Sequence, residues 1–436
     1  MLERFKQLQD RPVTVALMLG LVAQILFMIH LGRPTVVNFD EFHYVPAARS
    51  LLLLDQLRNS EHPLVAKELI AFGMAILGDN PWGWRIMATI AGSATVMATF
   101  SLIFLMIGRM RFAVAGAVFL LLNQMLYVQA RIAMLDVFLG AFLLWAIVVM
   151  LWAMRAPQGK VWRRWLLAAV LWGLAVGCKW AAIPYVAMAG LVFLIVRLRD
   201  ALAEGGDTAT VVRRMFAGKG QKHWTGMATI PALLAMGVVS IAVYLLTFTP
   251  CFFLTYAAIP PSELIPFQLK MYEAQTQVLA HHTYQSDWWS WPLMQRPIWY
   301  YYDFNSDAQR GVLLIGNPLI LWGGLVAVLA CFWAWLREKN LAAGAAALLW
   351  AWSLGIYIII PKSLGFFYYY YLSSIFLCVA LAIAFAHFDR GKKRGYEEWF
   401  GAVALILFIY FFPIISGGAL QDRDAFEFWM WFPDWK

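Results

Sequence analysis

The 436-residue sequence predicts an all-α integral membrane protein with about eleven transmembrane helices. Hydrophobic residues make up 62% of the chain and charged ones only 14%, where a soluble domain carries about a quarter charged residues. The apolar residues fall into long runs separated by short polar segments. Lys and Arg collect between alternate runs, so the net charge of +9 marks membrane topology and not a nucleic-acid partner.

Runs of about 17–25 apolar residues cross the hydrocarbon core as helices. The predicted spans are 12–31, 82–107, 112–128, 134–154, 166–178, 180–196, 228–248, 311–335, 341–360, 364–386 and 399–416. The fifth and sixth are short and separated only by Cys178-Lys179. With the N-terminus in the cytoplasm, segments 1–11, 108–111, 155–165, 197–227, 336–340 and 387–398 hold 21 of the 34 basic residues. Several are tightly bunched, as in Arg163-Arg164, Arg213-Arg214 and Lys392-Lys393-Arg394. No small-residue cleavage site follows the first run, so it is expected to remain as a signal anchor. An odd number of spans then carries the C-terminus to the outer face. The absence of a repeat or low-complexity linker predicts one continuous membrane domain over 1–436. Cys178, Cys251, Cys331 and Cys378 are scattered and predict neither a disulfide framework nor a Cys-based metal site.

Three polar segments fall on the outer face: 32–81, 249–310 and the tail from Gly417 to Lys436. In the first, Tyr44 to Leu54 and Leu64 to Leu77 carry apolar residues at helical spacing and predict helices lying in the membrane interface. The second is rich in aromatics, as in Trp288-Trp289 and Trp299-Tyr300-Tyr301-Tyr302, and reads as an interfacial belt. The tail, with Phe426 to Phe432, is expected to fold back on the surface.

Charges at span boundaries are costly to desolvate, so they point to chemistry. Asp40 and Glu41 follow the first span; His62, Lys67 and Glu68 lie in the next polar segment. Arg131 and Asp136 sit between the third and fourth spans, Lys179 between the fifth and sixth, and Lys362 after the ninth. All fall at the outer side, which predicts one outward-facing polar cavity. Carboxylates beside cations suit sugar transfer from a lipid phosphate. The cations hold the departing phosphate, and a carboxylate takes the proton of an acceptor hydroxyl as it attacks the anomeric carbon with inversion.

The runs Asn38-Phe39-Asp40-Glu41, Gln129-Ala130-Arg131-Ile132 with Asp136, and Gly177-Cys178-Lys179-Trp180 resemble landmarks of the protein O-mannosyltransferase family. So do His282, Tyr284, Ser286, Trp288 and Ser290-Trp291-Pro292, then Arg296-Pro297, Tyr300-Tyr301 and Gly316-Asn317-Pro318, in that order. The likeness runs from about residue 33 to 375. It implies a GT-C glycosyltransferase fold, a polyprenyl-phosphate sugar donor with mannose as the usual sugar, and Asp40 as base. It also implies that Glu41 positions the acceptor or tunes the base, and that Arg131 and Lys179 contact the donor phosphate. His62, Lys67, Asp136, His282, Arg296 and Lys362 are expected to support the site. The chain departs from the eukaryotic pattern in lacking the large luminal β-trefoil insertion, and it reads His62-Pro63-Leu64-Val65-Ala66-Lys67 where they have His-Pro-Pro-Leu-Gly-Lys.

Each residue also has a simpler use. Asp40 suits a helix N-cap, Glu41 a first helical turn, Arg131 an ion pair with Asp136, and Lys179 a snorkelling position. No metal site is assigned, although His281 or His282 with Asp40 or Glu41 would offer ligands for a divalent ion. The expected activity is mannosyl transfer to Ser or Thr of an exported protein at the periplasmic face of a bacterial inner membrane. A lipid A-like lipid or a polysaccharide is the alternative acceptor. A lipid-linked sugar transporter would instead carry charges deep in several spans and internal pseudo-symmetry.

Overall fold

Helices begin and end where the sequence supplies caps. In a computed structural model, which describes residues 11–218, 220–360, 363–389, 391 and 394–436, Asn80 accepts from the backbone N–H groups of Trp82 and Gly83 to start the longest helix. Gly108, at φ 65°, ends it in the left-handed region. Asn317 likewise caps the N–H groups of Leu319 and Ile320, while its Nδ2 donates to the carbonyls of Leu122 and Ala404. One side chain thus starts a helix and ties it to two neighbours.

In chain order the helices are α1 (Pro12–Met28), α2 (Glu41–Leu52), α3 (Val65–Leu77), α4 (Pro81–Ile107), α5 (Met110–Leu121) and α6 (Gln124–Gln129). They continue with α7 (Leu135–Met154), α8 (Gln158–Cys178), α9 (Ile183–Ala203), α10 (Thr208–Phe216), α11 (Thr229–Leu246) and α12 (Leu264–Gln275). After a hairpin of β1 (Ile298–Asn305) and β2 (Ala308–Leu314) come α13 (Pro318–Glu338), α14 (Leu341–Ile359), α15 (Tyr371–Asp389), α16 (Tyr396–Ile415) and β3 (Ala419–Leu420). Among the described residues, nine helices are long and apolar enough to cross a membrane, and α1 and α5 are shorter apolar helices. Each expected span overlaps one of these eleven.

The boundaries differ for physical reasons. The third run, 112–128, is broken at Leu122-Asn123, where Asn123 caps α6 by accepting from Met125 N–H. The fifth reaches back to Gln158, because Lys160, Arg163 and Arg164 continue a helix at its polar end. The eighth, 311–335, is not helical throughout: its first residues belong to β2, and α13 starts only at Asn317-Pro318.

A small sheet accompanies the mostly helical bundle. Strands β1, β2 and β3 form an antiparallel sheet in that order. The aromatic run Trp299–Tyr302 builds β1, and Ser306 at φ 65° makes the turn to β2. The tail folds back onto this hairpin: Ala419 pairs with Arg310, and the buried Trp435 indole donates to the Met294 carbonyl at 2.8 Å.

The bundle is centred on the Phe367–Asp389 segment, whose most apolar window is 83% buried against 22% for Thr229–Phe253. Polar side chains lace α1 to α4: Gln24 donates to Thr89 and accepts from Ser93. Gly92 faces Ala130 so closely that a Cβ there would lie 2.5 Å from the Ala130 Cβ, and this lets α4 meet the loop leading to α7. At the opposite end of the bundle Arg109 pairs with Asp389 at 2.9 Å, and Arg111 pairs with Glu397.

Candidate active site

The loop between α1 and α2 is built around a single arginine. Arg85, in the second turn of α4, donates through Nη1 to the carbonyls of Leu31 and Pro34 at 3.0 and 2.9 Å. Its Nη2 donates to the Val36 carbonyl at 3.0 Å and to Glu41 Oε2 at 2.8 Å, and its Nε to Glu41 Oε1 at 2.8 Å. All five guanidinium donors are spent. Glu41 also accepts from the backbone and side-chain amides of Asn38 and from Ala133 N–H at 3.0 Å. Both partners are 0% exposed, a fully satisfied buried ion pair. Glu41 therefore neither meets the acceptor nor tunes the base directly: it is the anchor that pins the loop and joins it to the segment before α7.

Asp40, one residue earlier, is in the opposite situation. It occupies the N-cap position of α2 but makes no capping hydrogen bond, and among the described residues its carboxylate accepts none at all. It faces Lys179, His43 and Asp136. Burial pushes its pKa up to about 6; the positive charges of Lys179 and His43 pull it down, and Asp136 raises it. Lys179 stands in an extended residue between α8 and α9, with Nζ 2.9 and 3.0 Å from the two carboxylate oxygens of Asp136 in the first turn of α7. The same ammonium lies 5.3 and 5.0 Å from the ring centres of Tyr368 and Tyr369. Tyr44, Tyr300 and Tyr368 also stand within the electrostatic reach of Asp40. Two carboxylates and a lysine thus gather beside aromatic side chains, contributed by four separate breaks in the bundle.

Arg131 is not part of it. Its guanidinium donates to the carbonyls of Phe27, Ile29 and Ser416 at 3.1, 2.6 and 3.0 Å and lies against the Tyr127 ring. These carbonyls are the unsatisfied ends of α1 and α16, which attract a cation. Arg131 staples two helix ends; it neither bonds Asp136, which Lys179 takes, nor points at the donor pocket.

The remaining expected residues separate into layers. Lys67 is buried and donates to the carbonyls of Asn59 and His62 at 2.6 and 2.7 Å, so it folds the 59–62 loop; burial pushes its pKa down to about 7. The His62 ring lies 6.2 Å from that of Tyr44, at the rim of the pocket. His282 is exposed, accepts from Tyr284 N–H, and meets Phe366 edge-on at 5.3 Å. Phe366 stacks on Tyr368, so His282 stands two rings out from Asp40. Arg296 donates to the Thr283 and Asp434 carbonyls and clips the tail to that loop. Lys362 lies outside the described residues. Among the described residues no group of three or more His, Cys, Asp or Glu side chains is placed to hold a metal ion. Of the two carboxylates named with His281 or His282 as ligands, Glu41 is committed to Arg85.

Two features went unread in the sequence. Arg85 was signalled by a charge close inside the start of the second span, at the same outer end as the others. The walls formed by Tyr300, Tyr368 and Tyr369 carry aromatic residues that composition cannot tell from an interfacial belt.

Two family models match the chain: "Dolichyl-phosphate-mannose-protein mannosyltransferase" over residues 61–212 and "C-terminal four TMM region of protein-O-mannosyltransferase" over 260–435. Asp40 and Glu41 precede both matched ranges. A polyprenol-phosphate-mannose–protein mannosyltransferase of Corynebacterium glutamicum is 24% identical, covering 91% of this chain and 88% of that protein. One of Mycolicibacterium smegmatis is 26% identical, covering 95% and 91%. Among solved structures, the Saccharomyces cerevisiae Pmt1–Pmt2 protein O-mannosyltransferase complex bound to the sugar donor superimposes with TM-score 0.81 at 14% identity, over 98% of this chain and 93% of that chain. ArnT from Cupriavidus metallidurans in the apo state gives TM-score 0.59 at 15% identity, over 95% and 67%. Both structural likenesses speak to the fold, a GT-C architecture.

Proposed function

The chain belongs to the protein O-mannosyltransferase family, and from that premise we propose that it moves mannose from polyprenyl phosphate to a Ser or Thr hydroxyl of an exported protein. The observation that carries the mechanism is the contrast between the neighbours Asp40 and Glu41: one carboxylate is spent entirely on structure, the other is unspent and faces the pocket.

Asp40 is the base. The acceptor oxygen attacks the anomeric carbon of the mannosyl phosphate, its proton passes to Asp40, and the C–O bond to phosphate breaks with both electrons leaving on the phosphate. Attack opposite the leaving group inverts the anomeric centre. A raised carboxyl pKa brings the base closer to working pH without preventing its ionisation at neutrality. Lys179 holds the donor phosphate: Asp136 orients the ammonium, which has three donors, and one remains for the phosphate. No step calls on a metal ion.

We read residues 1–436 as one membrane domain, with segments 32–81, 249–310 and 417–436 on the periplasmic side of a bacterial inner membrane and the N-terminus in the cytoplasm. The distribution of Lys and Arg supports that orientation, and the full-length bacterial relatives support the setting. The relatives' names favour protein over lipid or polysaccharide as acceptor.

The test is to incubate purified protein with polyprenyl-phosphate-mannose and, separately, a Ser/Thr peptide, a lipid A precursor and a polysaccharide. Mannosyl-peptide of inverted anomeric configuration is expected. Retention of configuration, or transfer to the lipid or glycan alone, contradicts the proposal.

A further inference from the structure

We propose that Tyr300 is a positioning residue for Asp40: its buried ring, at the bulge of β1, stacks on Phe39, and that stack helps hold the turn from which the carboxylate projects. The inference rests on Asp40 being the base.

Phe39 adopts φ 47°, a left-handed conformation that a bulky L-residue reaches only when its surroundings impose it. Glu41 grips Asn38 on one side of Phe39, and the Phe39 carbonyl accepts from Phe42 N–H at 3.1 Å, so the backbone of the turn is tied. What holds the Phe39 ring is aromatic. Its ring lies face to face with Tyr300, with centroids 4.1 Å apart and planes at 14°, and Tyr368 closes on it edge-on at 5.8 Å.

The strand is shaped to make this contact. Trp299 pairs with Leu313 and Tyr301 with Val312, so Tyr300 is the extra residue of a β-bulge. Ile298 and Tyr300 are buried while Trp299 and Tyr301 are partly exposed, so the Tyr300 ring lies on the inward side of the strand, at the point where the register shifts. Its hydroxyl is 3.2 Å from the amide Nε2 of the fully buried Gln129, the last residue of α6. That bond fixes the ring along its long axis and ties it to the segment running on to Asp136. The Tyr300 phenol also stands in the field of both Asp40 and Asp136. Bulge, amide and stack together form a brace from the hairpin to the base.

A brace predicts a particular pattern of damage. Tyr300→Phe keeps the stack, and Tyr300→Leu keeps apolar volume but loses it. Leu should lower kcat about 10- to 100-fold, the cost of misplacing a reacting group by about 1 Å, with the donor KM changed less than about twofold. Phe should recover at least half of wild-type kcat. Phe39→Leu should reproduce the Tyr300→Leu loss, and the double variant should be no worse than either single one, because both remove one contact. Asp40→Asn, measured alongside, separates the premise from the inference: activity there removes the base itself. With Asp40→Asn inactive, an unchanged kcat in Tyr300→Leu overturns the brace. So do a Phe variant as slow as Leu, a rise in donor KM that accounts for the loss, or additive effects of Phe39→Leu and Tyr300→Leu.

Discussion

Asp40 and Glu41 share a peptide bond and differ in almost everything that governs a carboxylate. Five donor contacts, two of them from a guanidinium, occupy the Glu41 carboxylate. Asp40 has burial without hydrogen bonds and is left to the field of Lys179. Since ionised Asp40 is the working form, kcat/KM should rise with pH through an acid limb near about pH 6 and then level off. Lys179→Met removes a positive charge that favours the carboxylate. The limb should therefore move to higher pH, with weaker donor binding; a pH-rate profile that stays in place counts against their proximity. Arg85→Ala strands Glu41 as an uncompensated buried charge, a loss of about 3–5 kcal/mol. Its unfolding midpoint in detergent should fall sharply, and Arg85→Lys should not restore it, because an ammonium cannot span Glu41 and three loop carbonyls. The sequence exposed Asp40, Lys179 and Asp136 as boundary charges, but it could not say which member of the Asp-Glu pair was free. That depended on Arg85, forty-four positions away in sequence. It also made Arg131 look like a phosphate ligand, since a cation at a span boundary looks the same whether it meets an anion or helix-end carbonyls.

The helical elements were readable because hydrophobic run length is a direct consequence of bilayer thickness. What resisted reading were the places where apolar residues do something other than cross. β2 is continuous in hydropathy with α13, and only Asn317-Pro318 separates them. β1 is an aromatic run that composition assigns to a membrane interface. The tail is paired through β3, bonded by Tyr302 and Tyr410 at the Arg423 and Phe428 carbonyls, and its last residues rest on buried Trp435 and the carbonyl contacts of Arg296. Trp435→Ala should release these last residues. Limited proteolysis should then cut between Asp424 and Lys436 far faster than in the wild type, while the helical bundle keeps its unfolding midpoint. Equal cleavage rates would show that the tail is held by other contacts.

Among the described residues, the charges of the candidate site sit at the ends of helices, while the middle of the bundle carries uncharged polar pairs such as Gln24 with Thr89 and Ser93. Asp136, Lys179 and the Tyr368-Tyr369 pair reach one pocket because each marks a break at the same end of the bundle: after α6, between α8 and α9, and before α15. Alternating direction of successive helices makes that coincidence in space, and the clustering of charges on one predicted face anticipated it. The basic segments at the other end are the ground for the proposed orientation. Leu279→Cys should accordingly be labelled by an impermeant thiol reagent on intact spheroplasts, and Thr208→Cys only after permeabilisation; the reverse pattern overturns the orientation. The measurement that bears most directly on the whole account pairs turnover with donor binding in Asp40→Asn. Mannosyl transfer to peptide should fall to background while polyprenyl-phosphate-mannose still binds within a few-fold of the wild-type Kd. Sustained transfer in that variant would contradict the assignment of Asp40 as the base.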